Sequence, residues 1–195
     1  VKVIHKQKEG VNIARKTAFE NSTGEYILTV DCDDIIDLDL IETVDEIFEK
    51  YLCDMVMFDL SIFDNETGDV TVKKMAEKNC FYDEKNKKNL YLILLNRCMN
   101  SLCSKCCRRE IYGAGFSYEK YLPMCHGEDW FQSAVQVCKM KTGYYLQRPM
   151  YHYRNIGSSL SHRYDLESFR LNSDSIFDVK ALIAEDGYFD SEVEA

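Results

Sequence analysis

The strongest constraint on the fold is an alternation between two hydrophobic periods. "EYILTV" (25–30) and "DMVMFDLSIF" (54–63) are short apolar runs of strand length. Between them, "DLDLIETVDEIFEKYL" sets Leu40, Ile41, Val44, Ile47, Phe48 and Tyr51 at helical spacing, and Asp39 with Glu42 makes an Asp-x-x-Glu capping pattern. "VNIARKTAFENS" predicts a helix with Ile13, Ala14, Thr17 and Ala18 near one face. "KNKKNLYLILLNRC" predicts another. "EDWFQSAVQVCKM" places Phe131, Ala134, Val135 and Cys138 together, with acids at its start and lysines at its end, as the helix dipole favours. "VKVIH" reads as a first strand, "NETGD" as a turn and "YYLQRPMYHYR" as an edge strand because of Pro149. Strands alternating with helices predict an α/β fold, a mostly parallel sheet flanked by helices.

Net charge is -9 at pH 7, which argues against broad attraction to nucleic acid or anionic lipid. The longest apolar run, Leu90 to Leu95, is far short of a membrane span, and no secretory leader is visible. The chain opens on Val1 directly into a strand-like run, so upstream sequence is expected to be missing. Nine cysteines without a leader point to thiols in a reducing compartment. Cys98, Cys103, Cys106 and Cys107 cluster, and Cys103 to Cys106 has a zinc-knuckle gap. No second pair follows at knuckle spacing, so buried small hydrophobes are the default reading.

The chemistry concentrates at three points. "EYILTV" runs into Asp31, Asp33 and Asp34. In an α/β sheet, ligands bind beyond the carboxyl ends of the strands. In extended backbone Asp31 and Asp33 would point the same way and suit magnesium or manganese. A polar turn capping the next helix accounts for the same residues. A calcium loop fits worse, because Ile36 stands where glycine is needed. In "CHGEDW", Glu128 and Asp129 open a helix, either as dipole-favoured acids or as a general base. In "YHYRNIGSSLSH", His152 could bind metal, and Arg154, Ser159 and Ser161 could grip phosphate oxygens. Each could equally be an ordinary surface group.

Taken together, "EGVNIARKTAFENSTGEYILTVDCDD", then "GEDWFQ", then "YHYRNIGSSLS" resembles the inverting glycosyltransferases of GT-A fold called glycosyltransferase family two. The resemblance runs from Val1 to about His162. It implies a partial GT-A domain over 1–162, lacking its first strand-helix-strand unit; beyond it, 163–195 reads as an acidic helical segment. Asp31, Cys32 and Asp33 fill the family's Asp-x-Asp motif. By similarity Asp33 would hold Mn2+ or Mg2+ on the donor's diphosphate, and Asp31 would face the ribose or assist the metal. Asp129 would be the base, supported by Glu128. Arg15 matches an Ala-Arg-Asn segment in which Lys16 replaces Asn. His152 matches a metal ligand of some members. Arg154, Ser159 and Ser161 match the segment closing over the diphosphate, and Lys105 matches a lysine without an assigned role.

The implied donor is a nucleotide sugar, in the first instance a UDP-sugar. The acceptor would be a glycan or glycolipid hydroxyl. The implied location is cytoplasmic, at the inner face of the membrane, with peripheral association through regions beyond the chain and no nucleic-acid partner. The alternatives are a non-catalytic nucleotide- or glycan-binding module, or an inactive fragment, of the same fold. A nucleotidyltransferase lacks a visible glycine-rich phosphate loop, and a zinc function rests on the cysteines alone.

Overall fold

The computed structural model describes residues 1–96, 98–124, 127–155 and 166–187. Its elements run α1 (Val11–Glu20), β1 (Tyr26–Leu28), β2 (Ile35–Ile36), α2 (Leu40–Tyr51), β3 (Met55–Asp64), β4 (Val70–Lys73), β5 (Cys80–Tyr82), α3 (Lys88–Leu95), β6 (Lys105–Arg108), α4 (Arg109–Ala114), α5 (Glu128–Lys139), β7 (Gly143–Asn155) and α6 (Leu166–Glu185). The sheet has the order β1-β6-β3-β7-β2, with β4 beside β3 and β5 beside β7.

The α/β class holds, but the pairing is mixed rather than mostly parallel. β3 and β7 run parallel, with α3, α4 and α5 falling between them in the chain. β6 inserts antiparallel between β1 and β3, so those two share a direction without touching. β4 folds back on β3 through a turn containing Gly68 at φ +78°, and so short a connection can join only antiparallel strands.

Strand β3 explains the layers. Met55 and Met57 pack on one face of the sheet with α3, α4, α5 and α6, while Val56 and Phe58 pack on the other with α2. Both faces are covered, so the run is apolar without alternation. Helix α2 buries Leu40, Val44, Ile47 and Phe48, as its period predicts. Asp39 does not cap it with its side chain; its carboxylate takes two hydrogen bonds from Arg148 instead. Beyond residue 162, Val179 and Ile183 of α6 join the same core as Trp130 of α5. Lys87 ties the far end down by donating to Asp186 at 2.6 Å and to the Cys138 carbonyl at 3.0 Å.

Three local expectations are corrected. "VKVIH" forms no strand. Its residues are exposed; Lys2 and the following Lys6 instead donate to Asn21, just past α1, and to Thr17 of α1, because a β-branched run needs a ladder partner. β7 is central, not an edge. Pro149 sits opposite Asp59 at a register irregularity, and β5 and β2 pair only with 143–145 and 151–152, leaving a gap where a missing N–H costs little. In α1, Ala14 and Ala18 face out, while Asn12, Arg15 and Phe19, at helical spacing, face in.

No helix among the described residues is long and apolar enough to cross a membrane. The cysteine cluster is divided by the pleat of β6. Cys106 joins Cys103 in the core over α2, and Cys107 joins the core on the opposite face. Burial pushes the Cys103 and Cys106 thiols up to about 12. Cys106 behaves as a small hydrophobe, while the Cys103 thiol also donates to the Asp31 carboxylate at 3.5 Å.

Candidate active site

Strand β1 ends at Leu28, so the acids that follow lie in a turn and not in extended backbone. The Asp34 N–H closes that turn on the Asp31 carbonyl at 3.2 Å. Strand alternation therefore does not aim Asp31 and Asp33; the turn does. Asp33 is exposed, and its carboxylate has no hydrogen-bond partner among the described residues. Asp34 is engaged at both oxygens, accepting from the Tyr151 hydroxyl at 2.5 Å and from the Arg154 N–H at 2.9 Å. Burial pushes its carboxyl above the usual range, against the pull of these two donors.

Glu128 and Asp129 stand at the first turn of α5, after Gly127 at φ +81°. Arg15 joins them to the acid turn. Its guanidinium donates to Asp129, lies 3.7 Å from Glu128 and reaches Asp31 at 3.4 Å. The Arg15 side chain is 10% exposed. Burial alone would lower its pKa, and the three carboxylates outweigh that and raise it. Burial, then the neighbouring Asp129 charge, pushes Glu128 up to about 7. Asn12, one turn before Arg15, braces this arrangement. It donates to the carbonyls of Tyr121 and Met124 and accepts from Gln132 of α5 at 2.7 Å.

Asp31, Asp34 and Asp129 share a cavity of about 230 Å3 with Cys103, Tyr151 and Tyr153. A larger groove of about 560 Å3 lies between α1 and β1, lined by Ala14, Ala18, Thr29 and Tyr112 as well as by Arg15 and Asp31. Lys105 is wholly buried behind the smaller cavity. It donates to the Met99 and Ser101 carbonyls and to the Ser133 hydroxyl of α5. Burial lowers its ammonium to about 8.

His152 has both ring nitrogens engaged, Nδ1 with the Ser61 hydroxyl and Nε2 with Asp37, each at 2.7 Å. Serine, histidine and aspartate in that order have the connectivity of a nucleophilic triad. Ser61, however, is 3% exposed, while its neighbours Leu60 and Ile62 are the ones that line the cavity. The three residues therefore brace β7 against β3 and the segment before α2. Arg154 donates its Nε to the Asp33 carbonyl. Ser159 and Ser161 lie outside the described residues.

Asn12 and Tyr151 were not assigned to the site from sequence; Asp34 was read only as one of three like acids, and Cys103 only as part of the cysteine cluster. Asn12 had a visible signal, since it repeats with Arg15 and Phe19 at helical spacing. Tyr151 had none, because its partners are more than a hundred residues away.

No described group of three or more histidine, cysteine or acidic side chains is arranged to hold a metal. Magnesium-type sites often use one or two carboxylates and complete their shell with substrate phosphates. The unpartnered Asp33 carboxylate beside Asp31 fits that mode.

Residues 1–115 match the family model for Glycosyl transferase family 2. The EpsH protein of Bacillus subtilis (strain 168), named as a glycosyltransferase, is 26% identical over 174 residues, covering 86% of this chain and 48% of the relative. The crystal structure of S. aureus TarS 1-349 in complex with UDP-GlcNAc superposes with a TM-score of 0.70 at 15% identity, covering 97% of this chain and 51% of that one. TarS 1-349 in complex with UDP gives 0.58 at 16% identity, covering 91% and 45%. The chain thus spans about half the length of the proteins it matches.

Proposed function

The chain belongs to glycosyl transferase family 2, and from that premise we propose that it transfers a sugar from a nucleoside-diphosphate sugar to a hydroxyl acceptor with inversion. The observation that carries the proposal is Arg15, which gathers Asp31 of the acid turn and the Glu128–Asp129 pair of α5 into one site beside an exposed Asp33. The TarS complexes support UDP as the nucleotide. The acceptor class we favour is a glycan or glycolipid at the cytoplasmic face of a membrane.

The acceptor oxygen attacks the anomeric carbon from the side opposite the diphosphate. Asp129 takes the hydroxyl proton as the new C–O bond forms, and the bond to the diphosphate breaks with its electron pair. Arg15 orients the Asp129 carboxylate. Arg154, whose Nε donates to the Asp33 carbonyl, would meet charge developing on the leaving group. A manganese or magnesium ion held by Asp33 with Asp31 would supply further neutralisation of that charge. Glu128 lies against Arg15 and supports the base's position. His152 already has two protein partners, so a role in metal binding would require Asp37 or Ser61 to release it.

The test is release of UDP from UDP-sugars with manganese, in the longest chain that the reading frame encodes. Asp33→Ala should abolish metal-dependent transfer; full retention would sink the assignment. A binding module without catalysis is the second reading. It is favoured by β1, which among the described residues is paired on one edge only and leaves the larger groove open. Calorimetry with UDP and manganese, run beside the transfer assay, separates the two, since binding without turnover supports the module.

A further inference from the structure

The acid turn contains three aspartates, and the structure gives one of them a different task. Asp34 spends both carboxylate oxygens on β7, one on the Tyr151 hydroxyl at 2.5 Å and one on the Arg154 N–H at 2.9 Å. The same Tyr151 hydroxyl accepts the Asp31 N–H at 3.1 Å. One phenol therefore bridges the first and last residues of the turn. The Arg154 Nε on the Asp33 carbonyl adds a third attachment, so Asp31, Asp33 and Asp34 are all tied to one strand.

Tyr151 is well suited to this. It is 1% exposed, its ring lies in the core over α2, and its backbone is paired on both sides, with Leu60 of β3 and Ile36 of β2. The hydroxyl thus sits on a rigid stem and can fix the turn to which it bonds. With Asp34 consumed and the backbone pinned, the Asp33 carboxylate is left facing solvent. The Asp31 carboxylate is shared by Arg15 at 3.4 Å and the Cys103 thiol at 3.5 Å.

We propose that Tyr151 and Asp34 form a positioning clamp that holds the Asp31–Asp33 turn in its ligand-binding shape, with Asp34 serving as an anchor and not as a metal ligand. The proposal rests on the metal role given above to Asp33. The clamp lowers the cost of ordering the turn when nucleotide and cation arrive, so its loss weakens metal-dependent binding without removing a ligand.

Manganese titrations at fixed UDP, with turnover measured in parallel, test this. Tyr151→Phe keeps the ring and removes the two bonds. It should raise the manganese concentration for half-saturation about tenfold, with kcat recovering at saturating manganese. Asp34→Asn, which can still accept from Arg154, should show a smaller shift of the same kind. A merely structural role would lower kcat and the melting temperature without moving the metal requirement. Two results overturn the clamp alone: a manganese-dependent parent whose Tyr151→Phe variant has an unchanged requirement, or Asp34→Asn activity that excess manganese cannot restore, which makes Asp34 a ligand. A parent with no metal dependence overturns the metal reading first, and the clamp with it.

Discussion

The acid turn and the start of α5 hold carboxylates a few ångströms from a common arginine, yet their surroundings differ in kind. In the turn, Asp34 accepts from a phenol and one backbone N–H, Asp31 meets the edge of the guanidinium at 3.4 Å, and Asp33 is left in solvent. At α5, the partner is a buried guanidinium, the Glu128 side chain is 12% exposed and its carboxyl is pushed up to about 7. On the proposed function, the same chemical group has two tasks, one to meet a cation and one to manage a proton. Environment assigns the roles, as in other sites where two carboxylates are pushed apart.

The largest expected effect breaks the α5 half. Asp129→Asn keeps the shape and removes the base, and kcat should fall by on the order of 10²–10⁴-fold. UDP binding with manganese, which the proposed function assigns to the turn, should hardly change. If nucleotide binding fell as far as kcat, the two acid groups would be one functional unit and the division drawn here would be wrong.

Next is the link itself. Arg15→Met removes the guanidinium and leaves Glu128 and Asp129 without their cation. Breaking a largely buried pair in this way costs about 3 kcal/mol, and most of it should come from α5, since the Asp31 side chain is 38% exposed and screened by water. Urea unfolding at neutral pH measures the loss. Adding Asp129→Asn to the variant should recover part of it, because the uncompensated charge is then gone.

The two halves also differed in how far sequence could reveal them. The periods of α2 and α5 depend on neighbours three and four residues away, and both helices formed where expected. The α/β class and the family likeness were legible for the same reason, as was the concentration of acids. What failed depended on distant partners. Asn12 and Arg15 turn inward because Tyr121, Met124 and Asp129 wait there with carbonyls and a carboxylate; local hydrophobicity points to Ala14 and Ala18 instead. Pro149 suggested an edge, but a register irregularity lets a central strand absorb it. The division of labour within "DCDD" depends on Tyr151 and Arg154, which nothing near the motif discloses.

A smaller effect concerns the entry to α5. Gly127 has φ +81°, and a Cβ there would meet the Asn172 side chain of α6 at 2.8 Å. Gly127→Ala should cost about 1–2 kcal/mol, from the left-handed backbone and the crowding together. It should also tilt Glu128 and Asp129, so kcat should drop several-fold while the manganese requirement stays put. An equal shift in the metal requirement would show that the turn and the helix start move as one body.

The last effect is read from pH and leaves activity aside. The Glu128 carboxyl is held near 7 in the fold against an ordinary value near 4.5, so between these values the folded chain holds a proton that the unfolded chain has released. Its contribution to stability is fully present below about pH 4.5 and is lost as pH rises through about 7, at no more than ~1.4 kcal/mol per pH unit. Urea midpoints from about pH 5 to about pH 8 should therefore decline more steeply in the parent than in Glu128→Gln, which carries no proton to lose. Equal slopes would mean that water reaches Glu128 as it reaches Asp33, and the contrast between a hidden acid and an open one would collapse to a difference in partners alone.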